Sequence, residues 1–212
     1  MKIISTNIGK AEIIEWRGKK VKTGIYKYPT NQPIFLGKED VQNDRVIDRR
    51  YHGGNEKACY IYSADHYSYW KSLYPKLDWQ WGMFGENLTI EGLNEADINI
   101  GDIFSLGETV VQATQPRQPC FKLGVRFRSQ KVVREFIEFG NAGVYLRVIK
   151  IGNVQIGDSF KLIERNKTGL SFRKVFQMIY SNDFSVEEVK EAVADPLLAE
   201  SCRNDLIKIW RL

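Results

Sequence analysis

The sequence has 212 residues, 43% hydrophobic and 27% charged, with a net charge of +5. A chain of that length buries a core without disulfide staples, and its composition excludes disordered, collagen-like and coiled-coil classes. At roughly 1.4 times a typical ~150-residue domain, it is expected to form one domain with a sizeable appendage or two small domains. No apolar run of about eighteen residues occurs, and Met1-Lys2-Ile3-Ile4-Ser5-Thr6-Asn7 lacks a long apolar stretch, so neither secretion nor membrane insertion is indicated. The three cysteines, Cys59, Cys120 and Cys202, form no CxxC pair, as expected of reduced thiols in a cytoplasmic protein. With only His52 and His66 available, a His-built zinc or iron centre lacks ligands.

Along the first 165 residues the pattern is one of short strands broken by Gly, Asn and Asp turns. Residues 3–14 and 21–28 flank Arg17-Gly18-Lys19 as one expected hairpin. Ser63 is placed to cap a helix running through His66, Tyr67, Trp70 and Leu73 until Pro75 stops it. Residues 103–106 and 109–113 flank Gly107-Glu108 as a second hairpin. Ser129 is placed to cap a second helix, with Val132, Val133, Phe136 and Ile137 on one face and Gly140 at its end. Residues 144–151 and 159–163 flank a Gly-Asn turn region. Ile100-Gly101-Asp102-Ile103-Phe104 recurs as Ile156-Gly157-Asp158-Ser159-Phe160, each time entering a strand: either a common turn signal or two equivalent corners of one closed sheet. Such spacing favours a barrel or sandwich covered by the two helices.

After Arg165 the periodicity becomes helical, through Leu170, Val175, Phe176 and Ile179, then Val186, Val189 and Val193, then Leu197, Leu198, Leu206 and Ile209. Ser185 followed by Glu188 fits a capping box, and Asp195-Pro196 marks a break. The expected class is therefore mainly β with α: a β-barrel domain over residues 1–165 and a small three-helix domain over residues 166–212, joined by the polar connector 164–169.

Chemistry concentrates in a few places. In Gln115-Pro116-Arg117-Gln118-Pro119-Cys120-Phe121-Lys122, two prolines fix φ and remove two backbone donors, which stiffens the loop and holds Cys120 in place. Arg117 and Lys122 beside it favour the thiolate, the form that ligates soft metals or attacks electrophiles; a buried inert cysteine is the plainer alternative. The paired glycines of His52-Gly53-Gly54-Asn55-Glu56-Lys57 suit a phosphate nest, with His52 and Lys57 adding donors, although a hairpin turn explains them equally well. No P-loop, GxGxxG or GxSxG motif occurs. Lys22-Thr23-Gly24-Ile25 reads as a strand with Lys22 and Thr23 on opposite faces. In Phe84-Gly85-Glu86-Asn87-Leu88-Thr89, a carboxylate and an amide suited to orienting a heteroaromatic ring, or to closing a turn, follow a glycine. Residues 117–150 carry eight basic side chains (Arg117, Lys122, Arg126, Arg128, Lys131, Arg134, Arg147, Lys150) against Glu135 and Glu138, a surplus that suits an anionic partner or a solvated face.

Taken together and in order, Lys22-Thr23-Gly24-Ile25, His52-Gly53-Gly54 with Lys57-Ala58, Phe84-Gly85-Glu86-Asn87-Leu88 and Pro116-Arg117-Gln118-Pro119-Cys120-Phe121-Lys122-Leu123 resemble MOSC-domain proteins of the YiiM type. The resemblance spans residues 1–165, and the trailing helices look like that family's small C-terminal three-helix domain. It implies a MOSC-type β-barrel with covering helices, and a molybdenum cofactor in its molybdopterin form with Cys120 as metal ligand and catalytic residue. Lys22, Thr23, His52, Gly53, Gly54, Lys57, Asn87 and Arg117 fall on motif positions assigned to the pterin and its phosphate. It also implies detoxifying reduction of N-hydroxylated small molecules, including hydroxylaminopurine-type base analogues, to amines.

Without a flavin fingerprint or iron–sulfur cysteine spacing in the chain, a separate electron-donating redox protein is then expected. Tyr60, Tyr62, Trp70, Trp79, Trp81 and Phe84 offer rings to stack on a purine, though core packing explains most of them. A non-catalytic carrier or sorting domain for the molybdenum–pterin cofactor or its sulfurated form is the alternative function. A nucleic-acid-binding barrel ranks third, because the modest +5 charge lacks a dense Lys/Arg run. No stable nucleic acid and no membrane partner is expected. The apolar faces of the trailing helices could dock a partner or a second copy of the chain as a homodimer.

Overall fold

The computed structural model describes residues 1–49 and 52–212. Its strands are β1 (Lys2–Gly9), β2 (Glu12–Trp16), β3 (Lys19–Thr23), β4 (Lys27–Thr30), β5 (Ile34–Leu36), β6 (Cys59–Ser63), β7 (Leu88–Glu91), β8 (Ile103–Leu106), β9 (Thr109–Pro116), β10 (Val144–Lys150), β11 (Gly152–Val154) and β12 (Phe160–Glu164). The helices are α1 (Tyr67–Leu73), α2 (Phe121–Arg126), α3 (Lys131–Phe139), α4 (Phe172–Tyr180), α5 (Val186–Ala194) and α6 (Glu200–Trp210). One sheet carries eight strands in the order β12-β8-β9-β10-β6-β7-β1-β4; β6 and β7 pair in parallel, across the connection that holds α1, and all other neighbours are antiparallel.

Strand alternation explains the layering. Along β6, Cys59 and Ile61 point into one apolar cluster and Tyr60 and Tyr62 into another; along β10, Val144, Leu146 and Val148 divide from Tyr145 in the same way. The first cluster gathers residues from β1 (Ile3) to β12 (Phe160) and also takes Val175, Met178, Val189 and Leu206 from α4–α6. The second is aromatic, packing Tyr62, Trp70, Phe84, Phe127 and Phe136 beneath α1–α3.

The closed barrel expected from the sequence is not formed. The sheet curls far enough for Ile3 N–H to donate to Asp158 O at 2.9 Å and Phe160 N–H to Met1 O at 3.0 Å, but only a single bridge, Lys2–Ser159, links the two ends. The reason lies in β1, whose residues Thr6–Gly9 pair with β4, so that only the first residues of the chain reach β12.

The hairpins β2–β3 and β8–β9 form around Arg17-Gly18 and Gly107-Glu108. The strands on either side of the Gly-Asn turn region do not pair with each other, because both edges of β10 are taken by β9 and β6, and β12 pairs with β8. The repeated Ile-Gly-Asp segments precede β8 and β12, which are neighbours. In each, the Asp Oδ2 accepts the N–H three residues earlier, Asp102 from Asn99 and Asp158 from Gln155, both at 2.9 Å, and the following Phe104 and Phe160 stack at 4.2 Å.

Ser63 and Ser129 do not cap: a 3-10 turn over Ala64–His66 leads into α1, and Gln130 stands at the start of α3. Ser185 and Glu188 form the capping box of α5. The connector after β12 is pinned to the turn before β8, Asp102 accepting from Arg165 Nη1 at 3.0 Å and from Asn166 N at 2.8 Å.

Candidate functional site

A cleft open at its mouth lies where the base of the β2–β3 hairpin, the 44–48 segment, the His-Gly-Gly turn and the loop between β9 and α2 converge. Of the residues singled out from sequence, Thr23, His52, Gly53, Lys57, Asn87, Arg117 and Cys120 line it. Lys22 does not: it points to solvent from β3 while its neighbour Thr23 is buried, as alternation requires. Gly54 faces a neighbouring polar depression instead, and its N–H is committed to Glu39 O at 2.8 Å. Gly24 is the point of closest backbone approach: a Cβ there would lie 1.7 Å from the carbonyl oxygen of Arg45.

Cys120 is the half-buried cysteine of the three, placed in extended conformation immediately before α2. Cys59 and Cys202 are fully buried; burial pushes the Cys202 thiol up to about 12 and the Cys59 thiol still higher. The loop that carries Cys120 is held from outside as well as by its prolines. Gln118 Nε2 donates to Asp205 of α6 at 2.7 Å, and Ser201 Oγ of α6 donates to Gln115 at 2.7 Å.

Arg117 is 4% exposed, and its Nη1 has no hydrogen-bond partner among the described residues. Its guanidinium lies over the rings of Tyr60 and Phe136, 5.5 and 5.3 Å from their centroids. Burial alone would lower its pKa, but the hydroxyls of Tyr60 and Tyr145 and the Cys120 thiol outweigh that, so it keeps its charge. The His52 pKa falls to about 4, first through burial and then through the cations Arg117, Lys122 and Lys57, with Asp48 opposing. His52 is thus neutral at neutral pH, its Nδ1 3.4 Å from the Tyr145 hydroxyl. Burial also pulls the Lys57 ammonium down, against the acids Asp205 and Glu56 and the Cys202 thiol.

Other groups in or beside the cleft serve the scaffold. Asn87 accepts from Tyr60 N at 3.2 Å and donates to Asp44 at 3.0 Å, so its amide is engaged within the wall. Asp44 also accepts from Gly9 N at 2.6 Å and forms a buried ion pair with Lys27. Glu86 turns away into the core, where it binds the Tyr67 hydroxyl and the Gly82 and Phe84 N–H groups. His66 is held by Glu95 at 3.2 Å, outside the cleft. Of the aromatic residues offered for stacking, Tyr60 and Phe84 reach the cleft, while Tyr62 and Trp70 are core.

Tyr145, Lys27, Asp44 and the 45–48 segment were not foreseen. No motif marks them, and only the pairing of β10 with β6 and the fold of the loop bring them to the site.

The MOSC domain profile matches residues 48–161, which hold the His-Gly-Gly turn, Asn87 and the cysteine loop. The chain belongs to the MOSC-domain family. Among its relatives, YflK of Bacillus subtilis is 35% identical over 206 residues, covering 97% of this chain and 93% of that protein. A protein named reductase from Gibberella moniliformis is 33% identical over 183 residues, 85% of this chain but 32% of that protein. The crystal structure of YiiM from Geobacillus stearothermophilus superposes with a TM-score of 0.82 at 31% identity, covering 98% of this chain and 97% of that one. The C-terminal helices are therefore part of what this MOSC protein shares with that structure. Among the described residues no helix is long and apolar enough to cross a membrane.

Proposed function

We propose that this MOSC protein is a molybdenum cofactor-dependent reductase that converts N-hydroxylated compounds, hydroxylaminopurine-type base analogues among them, to the corresponding amines. The observation that carries it is Arg117: a buried, charged side chain with an orphaned Nη1 in the same cleft as the half-buried Cys120. An unpaired buried cation is costly unless an anion completes it, and a pterin phosphate is an anion of suitable size and charge. The donor set fits such a group, with a thiol for a soft metal and Arg117, Lys57 and Lys122 for anionic oxygens. Among the described residues that line the cleft, Cys120 is the only thiol, and the pterin dithiolene would supply the metal's other sulfur ligands. The Gibberella relative's name supports a reductive activity.

When bound, the cofactor supplies the redox chemistry of R–NHOH + 2 e⁻ + 2 H⁺ → R–NH2 + H2O. The chain's own residues bind and orient. Cys120 ligates the metal, Arg117 and Lys57 neutralise the phosphate, and Thr23 and Gly53 shape the walls that receive the pterin. Neutral His52, beside the Tyr145 hydroxyl, offers a hydrogen-bonding pair without adding charge. Electrons come from a separate redox protein. The test is molybdenum and pterin content after expression in a cofactor-making host, followed by turnover of 6-hydroxylaminopurine with dithionite as reductant. Near-stoichiometric cofactor with turnover that Cys120→Ser abolishes is expected; cofactor without turnover would replace the reductase with a carrier, and absence of both would remove the cofactor from the account.

A further inference from the structure

The β2–β3 hairpin pairs with neither of the other sheets. Its register, Ile13 opposite Lys22 and Glu15 opposite Lys20, puts these four side chains on one outer face, and all four are exposed. The inner face carries Ile14 and Thr23, both buried, and Trp16. Trp16 stacks on Phe121 with centroids 4.9 Å apart, and Phe121 directly follows Cys120. Thr23, at the hairpin's base, lines the cleft. The hairpin is thus a wall of the site whose outer face is exposed.

Ile13, 69% exposed, is the most exposed large apolar side chain among the described residues. It sits among Lys20 and Lys22, with Arg17 and Lys19 exposed at the turn and the Arg17 guanidinium 5.3 Å from the Trp16 ring. A central apolar anchor with a charged rim is the anatomy of a transient protein interface, and the sign of this rim selects an acidic partner.

Resting on the reductase function above, we infer that the outer face of the β2–β3 hairpin docks the electron donor, a small redox protein with an acidic surface. A nucleic acid suits the face less well, because a phosphate backbone offers Ile13 no apolar surface to bury against, whereas a protein partner does. The surface also accounts for Lys22, which stands outside the cleft yet belongs to the same wall.

The probe is chemically reduced flavodoxin, a small acidic flavoprotein, used with cofactor-loaded wild-type protein and the Ile13→Glu and Lys20→Glu variants, singly and combined. Two fully reduced flavodoxin molecules each give up one electron and become semiquinones, and the buffer supplies two protons, for every R–NHOH converted to R–NH2 and H2O. In the double variant, KM for flavodoxin and the Kd from direct titration are expected to rise about tenfold or more. Flavodoxin-driven turnover by wild type should fall steeply between roughly 0.05 and 0.5 M salt. Dithionite-driven turnover and molybdenum content should stay at wild-type values. Unchanged KM and Kd, equal loss of dithionite turnover, no flavodoxin binding by wild type at low salt, or variants that lose only oligonucleotide binding would each overturn the docking surface. If wild type fails with dithionite as well, the reductase function fails, while the titration still decides whether the hairpin binds an acidic partner.

Discussion

Replacing Arg117 by methionine should separate binding from stability, because the two effects have opposite signs. In the ligand-free chain the guanidinium is buried and its Nη1 is unpaired, a condition that costs about 1–3 kcal/mol. Contacts with the faces of Tyr60 and Phe136 return about 0.5–1 kcal/mol each. Methionine fills similar space without the charge, so Arg117→Met should leave the ligand-free protein within about 1 kcal/mol of wild type, on the stabilised side, and move Tm by no more than ~2–4 °C. Toward an anion the same change removes a charge-assisted contact worth about 1.5–3 kcal/mol, so affinity should drop about tenfold or more. Urea unfolding with and without inorganic phosphate reads both effects, since a ligand stabilises only the form that binds it. Wild type should gain stability with phosphate and the variant should not. A ligand-free variant weakened by about 3 kcal/mol or more, the signature of a broken buried ion pair, would refute the reasoning, as would undiminished stabilisation by phosphate.

Three further outcomes are expected. Because the His52 pKa is depressed to about 4 in the folded chain from about 6.5 unfolded, the unfolded state binds more protons between those values. Stability should therefore fall as pH drops from about 6.5 to 4, by on the order of 3 kcal/mol, and His52→Gln should flatten that part of the urea-midpoint curve; an unchanged curve removes His52 from the pH response. Gly24→Ala sets a Cβ against the Arg45 carbonyl at 1.7 Å and should cost on the order of 3 kcal/mol or more. Gly140→Ala, at φ 75° with nothing within 4 Å, should cost only about 1 kcal/mol; equal losses in thermal unfolding would contradict the clash. Brief treatment of the folded, cofactor-free protein with iodoacetamide should label Cys120 alone, since Cys59 and Cys202 are enclosed and their thiols are held protonated; peptide mass spectrometry that finds Cys202 modified first would contradict this.

What was legible in the sequence was whatever a local rule governs. Alternation predicted Lys22 and Thr23 on opposite faces without saying which is inside, the Gly turns predicted two hairpins, and Ser185 with Glu188 predicted a cap. Pairing between distant strands was not legible. The missed partner of β12, and the sheet left open where β1 turns to β4, depend on competition for edges that no window of residues contains. The site was legible only where a motif marked it. Tyr145 reaches the cleft because β10 lies beside β6, and Asp44 because its loop folds back onto Gly9, Lys27 and Asn87. Helix α2 was hidden by its shortness and by the prolines before it.

The C-terminal helices have a physical role at the cleft that their apolar periodicity alone did not suggest. The first turns of α6 hold both loops that supply the site. Asp205 and Ser201 bind Gln118 and Gln115 on either side of the Pro-Arg pair, and Glu200 N donates to Glu56 at 2.8 Å, just past the His-Gly-Gly turn. Glu56 in turn binds Arg147 of β10 at 2.9 Å, and its carbonyl accepts from the Thr114 hydroxyl at 2.6 Å. The far end of α6 is fixed by Trp210, whose indole N–H donates to Met178 O of α4 at 2.9 Å. Two prolines can restrict φ in the cysteine loop, but they cannot set where that loop stands relative to the cations across the cleft. Pairing of Gln115 and Pro116 with β10 fixes where the loop begins, and α6 braces both loops from behind, so Cys120 and the cations across from it are held by a helix that lines none of the cleft among the described residues.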